Sequence, residues 1–140
     1  HVLGEEPYEP YLRNLALDAA KACDVTVHES GTVVVIQGPR FSTKAESKWF
    51  SQSGFDVINM TQYPEAILAR ELEMAYVNIS LITDYDSGVE GVKASSVQDM
   101  IKVFGQNIEN VKKVLEHMIQ AIDLDKDCMS HHALAPARFL

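Results

Sequence analysis

Three short apolar runs, each followed at once by a polar stretch able to start a helix, constrain this chain more than any other feature. Thr32-Val33-Val34-Val35-Ile36 leads into Gln37-Gly38-Pro39-Arg40-Phe41-Ser42-Thr43, and Asp56-Val57-Ile58 into Asn59-Met60-Thr61-Gln62-Tyr63-Pro64. Ala75-Tyr76-Val77-Asn78-Ile79-Ser80-Leu81-Ile82 leads into Thr83-Asp84-Tyr85-Asp86-Ser87-Gly88. Runs of this length, rich in β-branched residues and bounded by polar ones, read as buried strands. In open α/β sheets ligands bind beyond the carboxyl ends of the strands, so the three loops are expected to share one pocket. The coarse order is helix, strand, strand, helix, strand, helix, strand, long helix, with no repeat or low-complexity segment. That alternation predicts an α/β layer fold.

The helices have legible starts. The first is expected near Glu9-Pro10, proline being suited to an early helical position, with Leu12, Leu15, Ala16, Ala19, Ala22 and Cys23 on its apolar stripe. Asp24 to Ser30 then leads into the Val-rich strand. A helix from Gln62 to Leu72 follows Thr61, and a long helix is expected from Ser95-Ser96, a candidate cap. Its stripe comprises Val97, Met100, Ile101, Phe104, Ile108, Val111, Leu115, Met118, Ile119 and Ile122, and Gly105 is a candidate bend.

Size and composition bound the function. At 140 residues, 46% hydrophobic and 23% charged, the chain suits one domain. A chain that long can bury roughly 68–70% of its unfolded surface. No apolar run is long enough to span a bilayer as a helix. The net charge of −8, with twelve basic residues scattered among twenty acidic ones, argues against a nucleic-acid partner, yet a single phosphate needs only a local nest. Cys23 and Cys128 make no disulfide framework, and a reduced cytoplasmic setting is expected. The tail Cys128-Met129-Ser130-His131-His132 lacks a second ligand group at metal-binding spacing, and is expected to pack loosely. The chain begins His1-Val2-Leu3-Gly4, with no basic and apolar segment marking a secretory start.

Asp84 and Asp86 lie two residues apart, so on an extended backbone both side chains share one face. Like charges that close favour retention of a proton by one of them, and a protonated acid can donate. The alternative is a pair of turn acids ahead of Ser87-Gly88.

Taken together, Gly38-Pro39-Arg40-Phe41-Ser42-Thr43-Lys44-Ala45-Glu46, Asn59-Met60-Thr61 with Pro64-Glu65 and Ala69-Arg70-Glu71, and Thr83-Asp84-Tyr85-Asp86 resemble the trimeric purine nucleoside phosphorylase family, and within it the methylthioadenosine phosphorylases. Order and spacing match from His1 to about Ile122, and the match is to the carboxyl-terminal half of that family. The resemblance implies a mixed central sheet flanked by helices, with residues 1–125 as half of a phosphorylase domain and 126–140 as a tail. It further implies phosphate-dependent cleavage of a purine nucleoside without metal or organic cofactor, in a homotrimer or dimer of trimers. A missing amino-terminal half is an expected partner. The family's glycine-rich phosphate loop and later basic residues have no counterpart between His1 and Leu140.

The resemblance also implies site roles. Asp84 meets N7 and the exocyclic group of the base, with Asp86 beside it, and relieves the charge that builds on the departing purine. An Asp there favours a 6-amino purine, since relatives that prefer 6-oxopurines carry Asn. Phe41 and Ser42 belong to the base site, by stacking and by hydrogen bonding. Met60 and Thr61 match residues that line the ribose and reach the phosphate, with Asn59 preceding them in the same substrate-binding loop, although Met60 at a strand end also suits plain packing and Thr61 also suits a helix cap. Val97 stands where relatives that bind a 5′-hydroxyl carry His, so with Ile101 it suits a methylthio group; both also fit the core stripe. His1 aligns with a residue reaching a neighbouring subunit's 5′ pocket. Arg40 invites either a phosphate role or a salt bridge to Glu46. The implied substrate is 5′-methylthioadenosine; the alternatives are 6-oxopurine nucleosides and a non-catalytic nucleoside-binding half-domain.

Overall fold

The computed structural model describes residues 2–87, 89, 91 and 96–137. Along the chain run α1 (Pro10–Ala22), β1 (Val33–Val35), α2 (Lys44–Gln52), β2 (Val57–Asn59), α3 (Gln62–Glu71) and α4 (Val97–Ala121), followed by 3₁₀ turns at Met129–His132 and Ala135–Ala137. The chain divides into two compact units. One comprises residues 28–61 and 81–111, the other residues 1–27, 62–80 and 112–140.

The first of these units is built on a strand–helix–strand crossover. β1 and β2 pair in parallel, with Val33 opposite Val57, Val34 opposite Ile58 and Val35 opposite Asn59. The ladder is extended at both ends, where Asp56 N–H donates to Thr32 O at 2.8 Å and Ile36 N–H to Asn59 O at 2.9 Å, and the Asp56 carboxylate accepts the Thr32 N–H at 2.7 Å. α2 starts at a complete capping box, in which Thr43 and Glu46 each accept the other's backbone N–H. Phe50 is buried on it, its ring edge-on to Phe55 at 6.2 Å. Gly54, at φ +79°, follows the helix in the left-handed conformation that glycine adopts without strain.

The second unit has its core where α1 meets the carboxyl-terminal part of α4. Ala19, Ala20, Val114 and Met118 are buried together, with Leu15, Ala16, Cys23, Val25, Val77 and Ile79 around them. α1 begins as the sequence predicts. Glu9 caps it by accepting Tyr11 N–H, and Pro10 takes the first helical position. Glu9 is only 3% exposed, and its Oε2 accepts the Ser130 N–H at 2.9 Å and hydroxyl at 2.6 Å. Leu134 N–H donates to Glu73 Oε1 at 3.1 Å. The tail is therefore anchored, not loose: Cys128, Ser130 and Ala133 are all buried. Both cysteines are free thiols.

Three expectations change. The run Ala75–Ile82 forms no strand, because it finds no ladder partner among the described residues. Val77 and Ile79 nevertheless pack against the core, so the apolar run records burial and not sheet membership. The stripe on α4 is also broader than the surface it meets. Val114, outside that stripe, is 4% exposed beside Met118, whereas Ile101, Phe104, Leu115 and Ile119 stand exposed. The helix continues through Gly105 without a break.

Burial opposes ionisation of Glu9, but the two hydrogen bonds from Ser130, the bond from Tyr11 and the charge of His131 together hold its carboxyl below the usual range. A carboxyl depressed in the folded state stabilises the fold above its unfolded value of about 4.5, and that contribution is lost as pH falls through the folded value. Glu9→Gln should flatten the acid limb of stability measured by urea unfolding between about pH 5 and pH 2. An unchanged acid limb would show that the Glu9 carboxylate is not what the tail depends on.

Candidate functional site

Of the expected site residues, Phe41, Ser42, Asn59, Met60, Thr61, Asp84, Asp86, Val97 and Ile101 belong to the unit containing β1 and β2, all but Ile101 at or beside an element boundary. Arg40, Phe41 and Ser42 follow β1; Met60 and Thr61 follow β2, which ends at Asn59; and the Thr83–Ser87 loop precedes α4.

The first loop is tied to α2 by its own side chains. The Arg40 guanidinium forms two bonds to Glu46, at 2.8 and 2.7 Å, and a third to the Phe41 carbonyl at 3.1 Å. Glu46 Oε2 also accepts the Thr43 N–H at 2.8 Å and its hydroxyl at 2.9 Å. The bond from Arg40 leads those from Thr43 in lowering the Glu46 carboxyl to about 2, and Glu46 in turn raises Arg40. Of the two roles open to Arg40, the salt bridge is the one formed. Inside this arrangement Ser42 is 8% exposed, and its hydroxyl has no partner among the described residues. The Phe41 ring beside it is 74% exposed.

The Asp loop meets the first loop through Ser87, whose hydroxyl donates to Ser42 O at 2.6 Å. Thr83 Oγ1 donates to Asp84 Oδ1 at 2.6 Å. A carboxylate offers about four lone-pair sites, so this bond orients Asp84 without exhausting it. Asp86 is half-buried, and its Oδ2 is a second buried oxygen with no partner among the described residues. Asn107 of α4 steadies the approach by donating to Ile82 O at 2.8 Å. Ser42 and Asp86 are thus a hydroxyl and a carboxylate on loops joined by one hydrogen bond. Buried polar groups in folded proteins are nearly always paired, and this pair is suited to a ligand presenting both donors and acceptors.

In the third loop Asn59 Oδ1 accepts the Thr61 N–H at 2.6 Å and hydroxyl at 3.3 Å. The Thr61 hydroxyl is directed at Asn59, and Asn59 shapes the turn. Tyr63 has extended dihedrals just inside α3, so regular helix starts after it. Met60 packs its sulfur on Gly38, where an added Cβ would lie 3.0 Å from it, so the packing role applies. Ile101, one turn into α4, is 66% exposed and outside the core. Val97 opens α4, but its side chain lies outside the description, and His1 lies outside the described residues, as does Ser95. Ser96 caps α4, exchanging bonds with Asp99. Among the described residues no three His, Cys, Asp or Glu side chains cluster to hold a metal, and no helix is long and apolar enough to cross a membrane.

Glu46 and Ser87 were not among the expected site residues. The Thr43-x-x-Glu46 spacing signals a capping box and so could have revealed Glu46; nothing local signals Ser87.

A sequence profile of the phosphorylase superfamily matches residues 1–120, and the chain belongs to that superfamily. It is 46% identical to the S-methyl-5′-thioadenosine phosphorylase of Mycobacterium tuberculosis over 99% of this chain and 52% of that protein. It is 47% identical to the enzyme of the same name from Pyrococcus horikoshii over 91% of this chain and 49% of that one. A methylthioadenosine phosphorylase sourced from an antarctic soil metagenomic library superposes with a TM-score of 0.87 at 34% identity, covering 97% of this chain and 49% of that one. The methylthioadenosine phosphorylase from Schistosoma mansoni in complex with adenine superposes at 0.82 and 29% identity, covering 98% and 55%. The chain therefore has part of a nucleoside phosphorylase fold and spans about half the length of the relatives it matches.

Ser42→Ala should leave the unliganded protein as stable as before, or more stable by up to about 1 kcal/mol, because it removes a buried hydroxyl that has no partner among the described residues. Urea unfolding measures this, and a loss above about 1 kcal/mol would mean that the hydroxyl is bonded within the protein.

Proposed function

We propose that this chain is the carboxyl-terminal half of a phosphorylase that cleaves 5′-methylthioadenosine to adenine and 5-methylthioribose 1-phosphate. The observation that carries the reading is the pair of buried oxygens on Ser42 and Asp86 that have no partner among the described residues, on loops joined by the Ser87 hydrogen bond. The names of the relatives support the substrate, and the adenine in one related structure supports the base.

In this reading phosphate attacks C1′ as the C1′–N9 bond breaks, and the electron pair leaves with the purine. Asp84, oriented by Thr83, supplies a proton or hydrogen bond at N7, and its carboxylate accepts from the 6-amino group. Asp86 sits beside it as a second acceptor. Phe41 offers a ring face to the purine and Ser42 its hydroxyl to the base edge. Asn59, Met60 and Thr61 line the ribose, with Thr61 reaching phosphate. Val97 and Ile101 surround the methylthio group, and His1 reaches the corresponding pocket of a neighbouring subunit in a trimer or dimer of trimers. An amino-terminal half supplies most of the phosphate site. No metal or organic cofactor is required for this chemistry. Two free cysteines suit a cytoplasmic setting.

The alternative reading is a non-catalytic nucleoside-binding half-domain. Incubating the protein with methylthioadenosine and inosine together, with and without phosphate, separates the two. Phosphate-dependent adenine release is expected when the amino-terminal half is present. Nucleoside binding without release of either base would support the binding module, and preferential hypoxanthine release would overturn the 6-amino assignment.

In the active assembly Asp84→Ala should lower kcat by about 10²–10⁴-fold, the usual contribution of a positioned acid. Asp84→Asn should raise the inosine to methylthioadenosine ratio of kcat/KM at least about tenfold, equivalent to about 1.4 kcal/mol. An unmoved ratio would remove Asp84 from base recognition.

A further inference from the structure

We infer that Arg40 is a positioning residue for the purine, acting through Glu46 to hold Phe41 and Ser42 in the conformation that receives the base. The inference rests on the proposed nucleoside function and adds to it a residue that touches neither base nor phosphate.

Arg40 and Glu46 bracket the two base-site residues. One guanidinium bonds both carboxylate oxygens of Glu46 and the carbonyl of Phe41. One carboxylate oxygen, Glu46 Oε2, takes in addition the backbone N–H and hydroxyl of Thr43. The Phe41 carbonyl on one side of Ser42 and the Thr43 N–H on the other are thus fixed to the same ion pair, whose carboxylate belongs to the first turn of α2. Ser87 fixes the Ser42 carbonyl. The Ser42 hydroxyl is the polar group in this stretch that the protein leaves unpartnered among the described residues.

Exposed ion pairs ordinarily contribute little to global stability, and Arg40 is largely exposed. The expected consequence of breaking the clamp is accordingly local. A ligand would have to order the loop that the clamp now preorders, and preorganisation lost from a binding loop appears as lost affinity. Lys cannot reproduce this geometry, because its ammonium lacks the planar fork that grips both carboxylate oxygens.

The test compares wild type with Arg40→Lys, Arg40→Met and Glu46→Gln. It combines adenine titration calorimetry, thermal unfolding and amide hydrogen exchange of residues 40–43. The full-length assembly is used if turnover requires the amino-terminal half. We expect Arg40→Met to weaken adenine binding about tenfold or more and to speed exchange at Phe41–Thr43, with Tm nearly unchanged. Glu46→Gln should follow it, and Arg40→Lys should fall between. In the active assembly the loss should appear in KM for the nucleoside more than in kcat. Wild-type affinity in Arg40→Met, whether or not exchange speeds up, overturns the positioning role, as does weakened binding that merely tracks a fall in Tm. Failure of the wild type itself to bind adenine is a different result: it overturns the nucleoside reading and the inference with it.

Discussion

A single carboxylate, that of Glu46, accepts hydrogen bonds from the Thr43 N–H, the Thr43 hydroxyl and the guanidinium of Arg40. Its partners all lie within six residues, so ordering them costs less chain entropy than a contact between distant segments would. The helix start, the turn of the preceding loop and the presentation of Phe41 and Ser42 then become one event. An isolated surface ion pair would not do this. Here the charge is shared between a helix cap and a planar cation, and the geometry of both is set by the same two oxygens.

The remainder of the candidate site follows from where strands stop. β1 and β2 are only three residues each, yet their parallel register fixes the directions in which the Gly38–Thr43 and Asn59–Thr61 loops leave. The sulfur of Met60 resting against Gly38 shows how closely these two exits approach. Side chains there serve two purposes at once. Asn59 ends a strand and closes the turn onto Thr61, and Ser87 braces a neighbouring carbonyl while lying next to Asp86.

The parts of this structure legible in the sequence are those governed by local chemistry. Proline after Glu9 and the Thr43-x-x-Glu46 spacing state where two helices begin. Alternating or clustered apolar residues state that Val33–Val35, Val57–Ile58, Val77 and Ile79 face inward. What the sequence could not show was decided by segments far apart. Whether Ala75–Ile82 becomes a strand depends on a neighbour to complete its ladder. Which side of α4 is buried depends on what α1 offers, and α1 meets Val114 and Met118 and not Leu115 or Ile119. The Ser87–Ser42 bond joins residues 45 apart, and no local pattern announces it. Ser42 could be named as a candidate site residue, but only the fold reveals its hydroxyl as buried and without a partner among the described residues.

The bond between Glu9 and Ser130 spans 121 positions, and this bears on the order in which the molecule can be made. On the ribosome, the β1–α2–β2 crossover can close as soon as residues 32–59 have emerged. The cap of α1 cannot gain its Ser130 partner until translation has passed Ser130, nor can Ala19 and Ala20 bury against Val114 and Met118 before those residues appear. α1 therefore leaves the exit tunnel ahead of α2, α3 and α4 yet gains these partners only once α4 and the segment after it have followed.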